Sequence, residues 1–187
     1  MSRDTGRDSQ SNHRRVVVST VAGRSVIQSD EELPAYRFTT IPGYEHTFLW
    51  ATDGVPDLTR TQAPPIRPRS VVPGPGGSTL QMVSFPPVSV MASPTFDREA
   101  SRREALERLP GLADTFETES GGMHRTATVD YAVVFDGEID LELDDGRVVH
   151  LRRGDIVVQN GARHAWKNRG TDNAVVLFFM QGARGAT

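Results

Sequence analysis

From Val129 to Met180 the chain is a succession of short segments rich in β-branched residues, separated by turns built on glycine and aspartate. This punctuation constrains the fold more than any other feature, because a helix would need longer runs with a different period. Val129 to Phe135 leads into Asp136-Gly137. Glu138 to Leu143 then alternates strictly, with Ile139, Leu141 and Leu143 on one face. Asp144-Asp145-Gly146 suits a hairpin turn, and Arg147 to Leu151 is the returning strand. After the turn at Arg153-Gly154, strands are expected over Asp155 to Gln159, His164 to Asn168 and Ala174 to Met180. Many short strands at regular spacing predict a sandwich or barrel.

The N-terminal half is less regular. Residues 1–15 are polar and predict a disordered tail with nothing to bury. Val16 to Gln28 reads as a hairpin turning at Ala22-Gly23-Arg24, and Tyr36 to Ala51 as a further strand. Pro64 to Gly77 is rich in proline and glycine and must be loop or edge structure. Thr79 to Phe85 and Val88 to Met91 read as short strands broken by Pro86-Pro87. Phe96 to Leu109 is the one good helix candidate, stopped by Pro110-Gly111, and its charges form a solvated face.

Composition narrows the function classes. A net charge of -3 and the absence of a basic stripe argue against a nucleic-acid or anionic-membrane partner. There is no cysteine, so disulfides, thiolate metal sites and a cysteine nucleophile are excluded. The longest apolar run, Ala174 to Met180, is far short of a membrane span, and no hydrophobic signal core opens the chain. A cytoplasmic address is expected. There is no phosphate-binding glycine loop, nucleophile elbow or zinc-protease helix.

The candidate chemistry lies at the start of the β-rich region. His124, Thr126 and Asp130 are separated by even numbers of residues, so an unbroken strand would put all three on one face. His164 arrives from another strand, after the turn at Gly161. Two histidines and a carboxylate meeting inside a barrel would suit one divalent metal, Fe, Mn, Zn or Ni, with positions left for substrate or water. Asp130 is also a candidate general base, and Thr126 could orient a bound oxygen. Gln159, Trp166 and Asn168 are candidate substrate contacts; Asn168 is equally suited to fixing a turn. Tyr131 has the opposite parity to Asp130 and reads as a packing residue. His150 and Arg152-Arg153 read as exposed. His46 is a weaker candidate ligand from the N-terminal half, and His13 is set aside with the tail.

These residues resemble the paired motifs of the cupin superfamily. In the first motif His124 and Gly137 fall in place, with Asp130 standing for the usual glutamate and Thr126 for the second histidine. In the second, Gly154, His164 and Asn168 match, while Asn160-Gly161 replaces a Pro-x-Gly with one residue fewer. The resemblance covers roughly residues 112–182. It implies a mainly β fold: a single cupin jelly-roll barrel with an N-terminal strand extension over 16–111 and one short helix. It implies His124, His164 and Asp130 as metal ligands and, by analogy, a homodimer. The implied activity is a metal-dependent enzyme acting on a small oxygenated organic molecule, of dioxygenase, decarboxylase or isomerase/dehydratase type, hence an oxidoreductase or lyase. The rival expectations are a metal-free pocket performing acid/base cyclisation, isomerisation or dehydration, and a non-catalytic small-molecule binding protein.

Overall fold

The structure of the protein, a computed structural model, describes residues 12–59, 70–118 and 120–185. The expectations for residues 1–11 and for most of the first half of the proline-rich segment lie outside the described residues.

Among the described residues, eleven strands and one α-helix follow in chain order. They are β1 (Asn12–Val21), β2 (Arg24–Pro34), β3 (Tyr36–Arg37), β4 (Glu45–Thr52), β5 (Ser78–Phe85) and α1 (Arg98–Arg108). After the helix come β6 (Thr128–Asp136), β7 (Glu138–Glu142), β8 (Val148–Arg152), β9 (Ile156–Asn160), β10 (Ala165–Lys167) and β11 (Ala174–Gly182). A six-stranded sheet has the order β3-β4-β5-β11-β6-β9, and a three-stranded sheet has the order β10-β7-β8. Every pairing is antiparallel. β3, β4 and β5 from the N-terminal half are therefore part of the main sheet, because β5 pairs with β11 along its whole length, while β1 and β2 form a separate two-stranded sheet.

Alternation explains which side chains meet between the sheets. Ala132 and Val134 of β6, Ile139 and Leu141 of β7, Leu151 of β8, and Ala174 and Val176 of β11 form one buried cluster. Burying a side chain of that size contributes about 2 kcal/mol each. Two glycines make the geometry possible. Gly137 takes a positive φ of 73° between β6 and β7, with a carbonyl oxygen 3.0 Å from where a Cβ would stand. At Gly182 an added Cβ would lie 1.8 Å from the carbonyl oxygen of Gly74, so only glycine lets the Gly74–Gly77 turn close on β11.

A second cluster sits beside the barrel. Phe38, Val71, Leu109 and Ala113 are buried there, with Tyr36, Tyr44, Leu106 and Phe116 packed against them. Helix α1 is capped by Asp97, whose side chain accepts from the amide of Ala100 at 2.9 Å. Its Glu104 carboxylate accepts from the Tyr36 hydroxyl at 2.9 Å and from the amides of Thr39 and Thr40, each at 2.9 Å. The hydroxyls of Thr39 and Thr40 donate to it as well, at 3.1 and 2.6 Å. Burial alone would raise this carboxyl, but the donated hydrogen bonds hold it down at about 2.

Several sequence-based expectations need correction. β1 begins at Asn12, inside the segment read as a tail, so His13 lies on a strand. Val88–Val90 forms a single 3-10 turn instead of a strand, because Pro86-Pro87 leave no amides for a ladder. The strand expected over 36–51 is two strands, β3 and β4, folded on each other through the turn that precedes Glu45. Tyr131, by contrast, faces away from Asp130 as its parity predicts, 44% exposed with its ring packed near Phe179 at 6.0 Å.

Candidate active site

The histidine pair is built by the backbone before any side-chain contact. Gly121 and Gly122 both take positive φ, 59° and 89°, and turn the chain into Met123-His124. His124 and His164 then exchange both backbone hydrogen bonds, at 2.9 and 3.0 Å, as an isolated antiparallel bridge. Their rings lie with centroids 4.3 Å apart. The Nδ1 of His124 donates to the carbonyl of Gly122 at 3.0 Å, and the Nδ1 of His164 to that of Ala162 at 2.8 Å. A carbonyl can only accept, so each neutral ring carries its proton on Nδ1 and keeps the lone pair on Nε2. Burial lowers the pKa of His124, and burial together with the neighbouring His124 lowers His164 to about 4. Both rings are therefore neutral at pH 7.

Aromatic rings wall this pair. Phe116, from the turn after α1, meets the His124 ring edge-on at 4.8 Å. Trp166 of β10 meets His164 at 6.3 Å and Phe178 of β11 at 5.4 Å, both edge-on. Phe178 in turn contacts Phe85, and Phe85 contacts Tyr44. The helix-side cluster is thus tied to the histidines by an unbroken chain of ring contacts.

Asp130 lies on β6, 5% exposed, directly opposite Gln159 on β9 and Met180 on β11. Thr128 precedes it on the same face of β6, and the hydroxyls of Thr128 and Thr126 are 2.7 Å apart. Burial raises the Asp130 carboxyl from 3.8 to about 6, against the opposing pull of the Thr128 hydrogen bond. Its Oδ1 has no hydrogen-bond partner, and neither does either side-chain amide atom of Gln159.

The expected site residues thus divide. His124, Thr126, Asp130, Gln159 and His164 are all buried. They are not delivered by one unbroken strand, since β6 starts only at Thr128. The Thr126 hydroxyl lies 2.7 Å from that of Thr128. Trp166 is part of the wall beside His164. Asn168 is not available to a substrate: its amide nitrogen donates to the carbonyls of Phe85 and Asp172 at 2.8 and 2.7 Å, and its oxygen accepts from Gly170 at 2.9 Å. That side chain fixes a turn. His150 is half exposed, as expected, and pairs with Asp140 at 2.8 Å.

One polar group was underweighted by the sequence. His46 of β4 is 8% exposed, and its Nε2 lies 2.5 Å from Oε1 of Gln81 on β5. The Gln81 amide nitrogen lies 3.1 Å from the Met180 sulfur and 3.4 Å from the Thr79 hydroxyl. Burial lowers the His46 pKa, the Gln81 contact opposing it. The signal was its place on a strand-like stretch two residues before Phe48, although a bulge between Phe48 and Trp50 interrupts the alternation further on.

The donor set decides how far the expected metal fits. Among the described residues no group of three or more His, Asp or Glu side chains is placed to hold an ion. His124 and His164 bring their rings to 4.3 Å, but Asp130 does not join them in a group of three. The three-point set expected from the sequence does not assemble, whereas its two-histidine half does.

Two facing antiparallel sheets with this strand order, and a histidine pair bridging their strand ends, define a cupin barrel. Residues 115–180 match the family model described as Cupin domain, so this stretch of the chain carries a cupin domain. It is similar to "Phomopsin biosynthesis cluster protein C'" of Diaporthe leptostromiformis, 60% identical over 47 residues, 25% of this chain and 25% of that protein. It is also similar to "Cupin-domain-containing oxidoreductase virC" of Hypocrea virens, 44% identical over 46 residues, 25% of this chain and 24% of that protein. The matched stretch is thus about a quarter of these relatives' length. A solved structure of a putative ethanolamine utilization protein from Salmonella typhimurium overlaps at TM-score 0.44 and 9% identity, over 94% of this chain and 99% of that one. A likeness of that size says nothing of substrate or reaction.

Proposed function

We propose that this protein is an enzyme of small-molecule metabolism that binds an oxygenated organic substrate inside the barrel and moves a proton on it. The observation that carries this reading is a buried carboxyl with an unpartnered oxygen, in the same barrel as two neutral imidazoles whose Nε2 lone pairs are free of the backbone. Asp130, raised to about 6, is poised to take or give a proton near neutral pH. Thr128 orients that carboxylate. The neutral Nε2 atoms of His124 and His164 can accept a hydrogen bond from a substrate hydroxyl. Fungal relatives named as cupin-domain-containing oxidoreductases support extending the reading to a redox reaction.

A second reading has one observation in its favour. The Nδ1 of each histidine is fixed on a carbonyl, which is how ligating imidazoles are commonly oriented. One divalent metal, Fe, Mn, Zn or Ni, would then be held by His124 and His164, with its other positions filled from outside the protein. Such an ion would supply Lewis acidity or redox chemistry at a substrate oxygen. Elemental analysis of protein purified without chelator separates the two readings. About one equivalent of metal, lost in a His124→Ala/His164→Ala variant, establishes the metal reading. Negligible metal, together with activity that survives chelator, leaves proton transfer by the chain's own groups.

The same proposal includes a homodimer joined through the β1–β2 hairpin. Val18 and Ile27, opposite each other there, are each 68% exposed. Light scattering of the intact chain tests it, and a monomer at high concentration would sink it.

A further inference from the structure

Asp130 and Gln159 face each other across β6 and β9, at 5% and 4% exposure. Side chains directly opposite on antiparallel strands are within reach of one another. A glutamine amide and a carboxylate so placed could satisfy each other, yet Asp130 Oδ1 and Gln159 Oε1 and Nε2 are all unpartnered. The other unpartnered buried side-chain atoms among the described residues belong to Arg15, Ser19 and Ser29 of the hairpin and to Arg108 of the helix. Within the barrel, the unmet hydrogen bonding is therefore concentrated in this one cross-strand pair. Each buried polar atom left unmade costs about 1–3 kcal/mol, so three together mark a place where something else completes the set.

The chemistry of the three atoms specifies their complement. Asp130 Oδ1 and Gln159 Oε1 accept, and Gln159 Nε2 donates. No lysine or arginine is among the buried described residues, so nothing beside them neutralises an anion. We infer that Asp130 and Gln159 form a ligand-reading edge for an uncharged group that donates two hydrogen bonds and accepts one, a vicinal diol or a primary carboxamide. A carboxylate has no proton to give and is rejected by Asp130. This inference rests on the barrel interior being the ligand site. It assigns Asp130 to substrate recognition alongside Gln159, a residue that no metal would need.

The test uses the intact chain and three probes of similar size: catechol, benzamide and benzoate. Side-chain resonances of Gln159, assigned with a Gln159→Met variant, and of the Trp166 indole are followed during titration. The expected result is a saturable shift of the Gln159 amide with catechol or benzamide and none with benzoate. Which of the two neutral probes binds tells a diol from an amide. In the folded Gln159→Met variant, binding read at Trp166 weakens by about ten-fold or more, as expected for losing one paired interaction. Benzoate binding as well as the neutral probes overturns the inference. So does a Trp166 response with no change at Gln159, although that outcome keeps the barrel as a ligand site. Silence at both residues with every probe removes the inference and the barrel reading together.

Discussion

Two acidic side chains, one on the helix and one in the barrel, show what burial does to a carboxylate with and without partners. Glu104, on the helix, is surrounded by five donors from Tyr36, Thr39 and Thr40, and its pKa is held at about 2. Asp130, in the barrel, has an Oδ1 with no partner, and burial raises its pKa to about 6. The first is fully satisfied and ties α1 to the Tyr36–Tyr44 segment. The second is left incomplete, and incompleteness is what a group needs if it is to meet a ligand. The helix-side carboxylate is thus satisfied by its own layer, whereas the barrel leaves its carboxyl short of partners.

The comparison can be broken most directly at Glu104. Glu104→Ala should lower unfolding free energy at pH 7 by about 3 kcal/mol, because it strands several donors at once. Urea denaturation measures this, and a loss under about 1 kcal/mol would show that the carboxylate does not hold the layer together.

Asp130→Asn should do the opposite. At pH 8 it should stabilise the fold by about 2 kcal/mol, since it removes a charge that burial disfavours. The pH dependence sharpens the contrast. Asp130 is raised on folding, so its contribution is full below about pH 4 and is lost as pH rises through about 6. Glu104 is lowered on folding, so its contribution is present above about pH 4.5 and is lost as pH falls through about 2. The gain from Asp130→Asn should therefore vanish on acidification to pH 4, and a gain independent of pH would refute the assignment.

A smaller effect is expected at Thr128. Thr128→Val removes the one hydroxyl that supports the Asp130 carboxylate, and should raise its pKa further, as read from the carboxyl carbon resonance during titration. No change would mean that Thr128 does not reach Asp130. The smallest effect should be at Arg163, whose surface ion pairs with Glu117 and with Asp144 at 2.5 and 2.6 Å are open to water. Arg163→Ala should cost under about 1 kcal/mol and should weaken as salt is added.

Much of the barrel was legible because strand alternation is a local signal. Ile139 and Leu141 were placed on one face by period alone, and both are buried. Gly137 and the Asp144-Gly146 turn were readable because positive φ favours glycine, and Asp145 and Gly146 do take it, at 59° and 69°. The candidate site was legible only in part. Parity put His124, Thr126 and Asp130 on a common face, and all three are buried, but it assumed a strand that does not begin until Thr128. Asn168 carried a motif match and proved to be committed to a turn, because three backbone groups lie within reach of its amide.

By itself the sequence determined the class of fold, the absence of thiol chemistry and the pair of histidines, since these depend on residue type and local period. Only the tertiary structure decided which polar groups are satisfied. Whether Asp130 meets a metal, a threonine or nothing depends on which side chains the sheets bring beside it. That register joins strands far apart in the chain: β6 lies between β9 and β11, while His46 reaches the barrel on β4, three strands away in the same sheet. Hydrogen bonding acts over about 3 Å, and no local pattern in a sequence carries distances of that kind between remote segments.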